Sequence, residues 1–406
     1  MMHANNLATT TPRRLLDYLH SHQTEMHSLL EELVLAESPS TVPAAQQKVL
    51  AMLQKALEQR GYRVRRIRGR QTGGHLLAIP RNRPRQLFGD RSLAQPIQLL
   101  LGHSDTVWPL GTLAKMPITL RQGKMYGPGI YDMKAGLVQT LFALEAIAAN
   151  DLSPQVAPVI LINSDEEIGS YESTPQIRRL AKIAERAFVM EPSLGRTGKL
   201  KTRRKGVGEF TIRIIGQAAH AGLEPEKGVS AILELSFVVQ KLFQLNNPQR
   251  GITVNVGTID GGIRPNVVAP ESQAVVDVRV LHLEDVPRIE STILGLQPTT
   301  PNTQLIVEGK IERPPMEKTP GNQKLWQLAQ QAASALGIEI EQGTAGGSSD
   351  GNLTSLYTPT LDGLGAVGDS AHAPGEFIYL DHLVERAALL AQLLLAPTLT
   401  EKNHGQ

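Results

Sequence analysis

Ile97-Gln98-Leu99-Leu100-Leu101-Gly102-His103-Ser104-Asp105-Thr106 is the stretch that decides the fold. Its almost continuously apolar first part, Ile97–Gly102, is what a strand covered on both faces requires. It stops at a His-x-Asp pair. The same pattern returns twice: Val156–Asn163 is apolar and runs into Ser164-Asp165-Glu166-Glu167, and Arg186–Met190 ends at Glu191. Before the second of these strands, the glycine-rich turn Tyr126-Gly127-Pro128-Gly129-Ile130-Tyr131-Asp132 leads into a helix expected from about Met133 to Ala149. Strands alternating with helices make a largely parallel sheet. In such sheets ligands bind beyond the carboxyl ends of the strands, and each polar cluster falls there.

Working outward, Leu15–Leu35 reads as an amphipathic helix that ends at Ser38-Pro39-Ser40. A second helix starts near Pro43, which suits a first helical position, and stops at Gly61. Short strands follow at Tyr62–Ile67 and His75–Ile79, then an Arg/Pro/Gly-containing loop over Pro80–Pro96. After Thr202-Arg203-Arg204-Lys205-Gly206 the pattern changes: Val207–Ile215 alternates apolar and polar, as a strand with one wet face does. The next elements are a helix (Ser230–Leu245), strands (Ile252–Thr258 and Ser272–Val280), a helix (Glu284–Leu296) and a strand (Gln304–Glu308). This β-α-β-β-α-β order belongs to a small ferredoxin-like α+β unit. Helix–strand alternation resumes at Pro320. The expected fold is therefore α/β, a mixed, mostly parallel sheet flanked by helices, with an inserted ferredoxin-like α+β domain. The expected boundaries are 1–203 and 315–406 for the two parts of the larger domain and 204–314 for the insertion, with Leu395–Gln406 frayed.

The chain has 406 residues, beyond the roughly 250–300 that one core sustains, which also argues for two domains. A net charge of +2 is too small to suggest nucleic acid. Basic clusters occur at Arg63–Arg70, Arg81–Arg91 and Arg203–Lys205, without the interleaved aromatic residues of single-strand binders. They read as solvated faces, loops or substrate-carboxylate contacts. The absence of cysteine removes disulfides, thiolate ligands and thiol nucleophiles, so a metal would have to be held by His, Asp and Glu. Arg13-Arg14 is followed by Leu-Leu-Asp-Tyr-Leu-His, with no apolar signal core, and no stretch approaches the roughly 18 apolar residues of a membrane span. A cytoplasmic protein with neither nucleic-acid nor membrane partners is expected.

Each polar motif has a bland reading when taken alone. His103 and Asp105, two apart on a strand, face the same side, so one could hold a metal while the other fixes its far ring nitrogen. Taken alone, the pair reads more readily as a satisfied histidine at a strand end. Asp132 could be a helix N-cap, Asp165-Glu166-Glu167 a solvated acidic loop, Glu191 a surface cap, and His372 in Gly368-Asp369-Ser370-Ala371-His372-Ala373-Pro374-Gly375-Glu376 a turn histidine. Together, two His, one Asp and two Glu provide enough ligands for two zinc ions bridged by one carboxylate. A leftover glutamate beside them suits a general base.

These motifs, in this order, resemble the two-zinc family containing glutamate carboxypeptidase, acetylornithine deacetylase, succinyl-diaminopimelate desuccinylase, peptidase T and the aminoacylases. The resemblance runs from about residue 15 to 395. It implies His103, Asp132 and Glu191 on one zinc, and Asp132, Glu167 and His372 on the other, with Co2+ or Mn2+ as substitutes to consider. It implies Glu166 as general base and Asp105 as the residue orienting His103. Gly216-Gln217-Ala218-Ala219-His220-Ala221-Gly222 resembles the family segment whose histidine polarises the scissile carbonyl. Asn266 in Gly262-Ile263-Arg264-Pro265-Asn266 and Arg279 in Val276-Asp277-Val278-Arg279 resemble substrate-binding positions, and the Gly343–Gly351 loop, with Gly346, offers amide donors to a carboxylate. The implied activity is hydrolysis of an amide next to a free carboxylate, in a peptide or N-acyl amino acid, by a homodimer joined through the inserted domain. Its look is closest to the glutamate carboxypeptidase branch. The alternatives are an N-acyl-amino-acid deacylase of the deacetylase or desuccinylase type and, in another class, a non-catalytic metal-dependent binding protein.

Overall fold

The computed structural model describes residues 2–82 and 96–399. The Pro80–Pro96 loop, the Arg81–Arg91 cluster and the Leu395–Gln406 tail therefore lie partly outside the described residues. The chain divides into two compact units, one formed by Met1–Thr202, Lys318–Thr344 and Ser349–Gln406, the other by Arg203–Glu317 and Ala345–Ser348.

The first unit is built on a six-stranded sheet in the order Tyr62–Ile67, His75–Pro80, Ala157–Asn163, Ile97–His103, Ala184–Val189, Thr360–Leu361. The first strand pairs antiparallel with the second and the second antiparallel with the third, and the remaining three contacts are parallel. Alternation along the central strands separates two apolar layers. Leu100, Ile160 and Phe188 join one core with Leu137, Leu141, Leu383 and Leu390 of the helices Ala135–Ala149 and Leu380–Leu395. Leu99, Leu101, Val159, Leu161 and Val189 join the other, with Ile177 and Leu180. Each such side chain stabilises the fold by about 1.5–3 kcal/mol when fully buried. A one-residue slip would exchange the two layers, so register is strongly specified. Helix Ala135–Ala149 is buried almost all round, as its uniformly apolar composition requires.

Two local expectations change. Leu15–Leu35 is not one helix: Met2–Ser21 and Gln23–Leu35 meet at His22, whose φ and ψ are −108° and 17°. The Ser21 hydroxyl donates to the Tyr18 carbonyl at 2.7 Å and His22 Nδ1 lies 2.8 Å from the same oxygen, so side chains compete with the helical ladder there. Regular helix also begins at Ala135 rather than Met133, because Asp132 and Met133 have non-helical dihedrals; the peptide joining them is cis. Short strands at Thr119–Arg121, Lys124–Tyr126, Gly368–Asp369 and Phe377–Tyr379 add a small second sheet to this unit.

The second unit is a four-stranded antiparallel sheet in the order Thr253–Gly261, Glu271–Val280, Gly206–Ile215, Gln304–Arg313. Strand Gly206–Ile215 alternates buried and wetter positions along its length. Its buried Phe210, Ile212 and Ile214 pack with Val276 and Val278 against Leu235, Val238 and Leu242 of helix Ala231–Phe243 and Ile289 and Ile293 of helix Asp285–Leu294. The expected last strand, Gln304–Glu308, continues to Arg313. Connectivity and strand order are those of a ferredoxin-like α+β fold.

Candidate metal centre

Three neighbouring parallel strands deliver the site at one sheet edge. His103 is the last residue of its strand and pairs in register with Asn163. Two residues beyond Asn163 begins the acidic turn, and Leu101 aligns with Val189, two residues before Glu191. The C-terminal segment reaches the same edge: Leu364 and Gly365 donate backbone hydrogen bonds to the Val189 and Glu191 carbonyls, and the chain then runs on to His372.

Two groups of donor atoms form here. His103, Asp132 and Glu191 each offer an atom within 4.8 Å of the others, and so do Asp132, Glu167 and His372. Asp132 belongs to both: Oδ1 lies 3.1 Å from His103 Nε2 and Oδ2 3.4 Å from His372 Nε2. The N-cap position of the following helix is Lys134, so Asp132 is not its cap. Glu191 Oε1 lies 3.4 Å from His103 Nε2, and Glu167 Oε2 lies 3.2 Å from His372 Nε2. Burial argues against the surface readings too: Asp165, Glu166 and Glu191 are only 1%, 8% and 7% exposed.

Withdrawing carboxylates from water costs about several kcal/mol each unless a cation or proton compensates. The electrostatics of the site reflect that demand. Asp132 and Glu167 push His372 up to about 11. Burial opposes charge on His103, yet Asp132, Glu191 and Asp105 hold it well above the ordinary imidazole value. Burial first, then Asp132, pushes Glu167 up to about 7. Glu167 Oε1 is buried without a hydrogen-bond partner, an acceptor aimed at nothing the protein supplies. Imidazole nitrogens and carboxylate oxygens in two groups of three, sharing one acid, fit a pair of divalent cations.

Asp105 meets His103 Nδ1 through both its backbone carbonyl and its carboxylate. The nearest partner of His103 Nδ1 is the Asp105 backbone carbonyl at 3.0 Å, while the carboxylate is 3.6 Å away. The carboxylate also accepts from the Ser40 hydroxyl at 2.7 Å and from the Glu166 and Glu167 amides at 3.3 and 3.2 Å. It thereby fixes the short turn Glu166–Ile168 relative to His103. His372 has a φ of 60°, a left-handed conformation that costs a non-glycine residue about 1–3 kcal/mol and tends to occur at functional loops.

Sequence reasoning overlooked Glu376. This fully buried acid lies four residues beyond His372, and a glutamate inside a loop of small residues was the available signal.

In the second unit His220 is exposed, and its Nδ1 accepts from the Gly222 and Leu223 amides at 3.2 and 3.1 Å. A neutral ring so held carries its proton on Nε2. Asn266 lies alongside: its carbonyl accepts from the Ala221 amide, and Val267 bridges to His220. Asp277 grips Arg279 from the side, through Nε at 2.8 Å and Nη2 at 2.7 Å. Gly346 is exposed, in a loop whose Gly347 and Ser348 carbonyls accept from Arg204 at 3.1 and 3.3 Å.

A mostly parallel α/β sheet with this paired donor set at its carboxyl edge is the frame of a dinuclear metal centre. A family model described as Peptidase family M20/M25/M40 matches residues 99–396. Carboxypeptidase G2 of Pseudomonas sp. (strain RS-16) is 29% identical over 304 residues, covering 73% of each chain. Succinyl-diaminopimelate desuccinylase of Acidovorax ebreus (strain TPSY) is 28% identical over 375 residues, 87% of this chain and 93% of that one. The crystal structure of aminopeptidase PepT from Bacillus cereus ATCC 10987 superposes with a TM-score of 0.74 at 21% identity, over 92% of this chain and 98% of that one. The chain belongs to peptidase family M20/M25/M40.

Proposed function

We propose that the protein is a zinc-dependent exo-amidohydrolase that cleaves an amide bond next to a free carboxylate, in the manner of a glutamate carboxypeptidase. The observation that carries this reading is the pair of donor groups sharing Asp132, with Glu166 directly beside one of their ligands. His103, Asp132 and Glu191 would hold one ion, and Asp132, Glu167 and His372 the other. Bound there, two zinc ions would supply Lewis acidity and lower the pKa of water to about 7.

Glu166 takes a proton from the water that adds to the amide carbon. It returns that proton to the departing nitrogen as the carbon–nitrogen bond breaks, leaving a carboxylate and a free amine. His220, with its Nε2 proton available, donates to the oxygen that gains charge during attack. Asn266, the Gly346 loop and Arg279 receive the substrate carboxylate. Asp277 occupies one side of the Arg279 guanidinium, which leaves the Nη1 edge for a second, bidentate partner.

Deacylation of an N-acyl amino acid is the second reading. The desuccinylase match, over 87% of this chain, supports it. A homodimer formed through the second unit is also proposed. Its helix Ala231–Phe243 exposes Ile232, Leu233 and Phe243, and its edge strand Thr253–Gly261 exposes Ile259. Bare strand edges and apolar patches of this kind call for cover. Among the described residues no helix is long and apolar enough to cross a membrane.

The test is a panel of dipeptides and N-acyl amino acids, each as free acid and as C-terminal amide, incubated with the zinc-loaded protein while released amine is followed. Hydrolysis of free acids alone, abolished by a chelator, is expected. Two amino acids as products identify the peptidase, and a released acyl acid identifies the deacylase. Equal hydrolysis of acids and amides would refute carboxylate recognition.

A further inference from the structure

Glu376 has no ligand role in the proposed centre, yet its carboxylate is among the most completely used in the first unit. One oxygen, Oε1, accepts from the Tyr131 amide at 2.8 Å and the Asp132 amide at 3.0 Å. The other, Oε2, accepts from Trp108 Nε1 at 2.7 Å and the Gly129 amide at 2.9 Å. Four N–H donors on two oxygens match the full acceptor capacity of an ionised carboxylate, so nothing is left for a metal. The Glu376 carbonyl also accepts from the Gly127 amide at 3.2 Å. The segment Gly127–Asp132 is thus wrapped around one side chain, and Gly129, with a φ of 70°, provides the left-handed bend this requires.

This matters because Asp132 has no regular helix to fix it. Its φ and ψ are −114° and 98°, and regular helix starts only at Ala135. The same side chain joins three pieces distant in sequence: the loop after Asp105, through Trp108; the turn before Asp132; and the loop bearing His372, four residues upstream of Glu376.

We infer that Glu376 is a positioning residue that sets the Asp132 carboxylate between the two donor groups and holds Trp108 as a reporter of that arrangement. This rests on the proposal that Asp132 is the shared metal ligand. Buried partners that orient ligands are typically worth ~10–100-fold in metal affinity or activity.

The experiment compares the full-length wild type with Glu376→Gln, Glu376→Asp and Asp132→Asn. Zinc alone is the probe, titrated in competition with a chromophoric chelator. Glu376→Gln turns an acceptor into an NH2 group facing two N–H donors, and zinc affinity is expected to fall ~10–100-fold. Zinc addition is expected to change Trp108 emission in the wild type and to change it less in the variant; Trp326, the only other tryptophan, sits buried in the core and serves as internal constant. A merely structural role would lower the melting temperature while leaving the zinc affinity of the folded protein unchanged, and that result would overturn the inference. Should Glu376→Gln fail to fold, Glu376→Asp keeps the charge and shortens the arm by one methylene; undiminished zinc affinity there overturns the inference equally. Asp132→Asn separates the two levels. If it still binds both zinc equivalents normally, the metal-centre reading falls. If it loses them while both Glu376 variants keep theirs, only the positioning role falls.

Discussion

Replacing Asp105 by Asn probes how His103 and the Glu166–Ile168 turn are held together. The carboxylate accepts three hydrogen bonds, from Ser40, Glu166 and Glu167. Asparagine keeps one acceptor oxygen. Its best orientation preserves the Ser40 and Glu167 bonds at the former Oδ2 position and turns the amide NH2 toward the Glu166 N–H. One buried donor then goes unsatisfied, at about 1–3 kcal/mol. The two surviving bonds lose their ionic character, at about 1 kcal/mol each. Against this, the variant no longer buries a charge, and burial is the first cause raising the Asp105 pKa. A net loss of about 1–3 kcal/mol is expected in urea denaturation. His103 keeps its Nδ1 contact with the residue-105 carbonyl, so its tautomer survives and kcat/KM should fall only ~10–100-fold. A loss of ~10⁴-fold or more, with zinc still bound, would put Asp105 in the chemistry itself and refute the positioning argument. Unchanged kcat/KM would refute it from the other side.

Glu166→Gln should fold, bind zinc and lose ~10²–10⁴-fold in kcat, checked by steady-state kinetics alongside metal analysis; near-normal turnover removes Glu166 as the base. Arg279→Met should raise KM for free-acid substrates while changing kcat much less, and an unchanged KM would deny it a carboxylate-binding role. Lys134 is buried with its Nζ on the Ala36 carbonyl, and burial lowers its pKa from 10.5 to about 7. Between these values the unfolded chain binds the extra proton, so the wild type should gain up to ~1.4 kcal/mol of stability per pH unit relative to Lys134→Met. Parallel denaturation curves at pH 7, 8 and 9 check this, and a difference that shrinks or reverses with rising pH would refute it.

The legible parts of this protein were those set by long-range apolar patterning. Ile97–Gly102 and Val156–Asn163 had to be buried on both faces, and their ends had to be where polar chemistry sits, so the α/β class and the ferredoxin-like insertion followed from periodicity. The donor residues were legible as residue types at strand exits. Their grouping into two sets came from the resemblance of the ordered motifs, because each motif alone has an ordinary alternative. What escaped depended on side-chain to backbone bonds. The helix is interrupted at His22, beside side-chain bonds to the Tyr18 carbonyl, and Met133 stays outside the expected helix next to the Tyr131 and Asp132 amides that Glu376 holds. The share of the Asp105 backbone carbonyl in holding His103 Nδ1 also escaped. The short strands Lys124–Tyr126 and Phe377–Tyr379 carry too few residues to show a period of two.

The most direct measurement is zinc analysis of the purified protein together with anomalous diffraction at the zinc edge. Two equivalents and two peaks roughly 3.5–4 Å apart, on either side of Asp132, are expected. One peak, none, or peaks away from His103 and His372 would contradict the paired centre on which the proposed function depends.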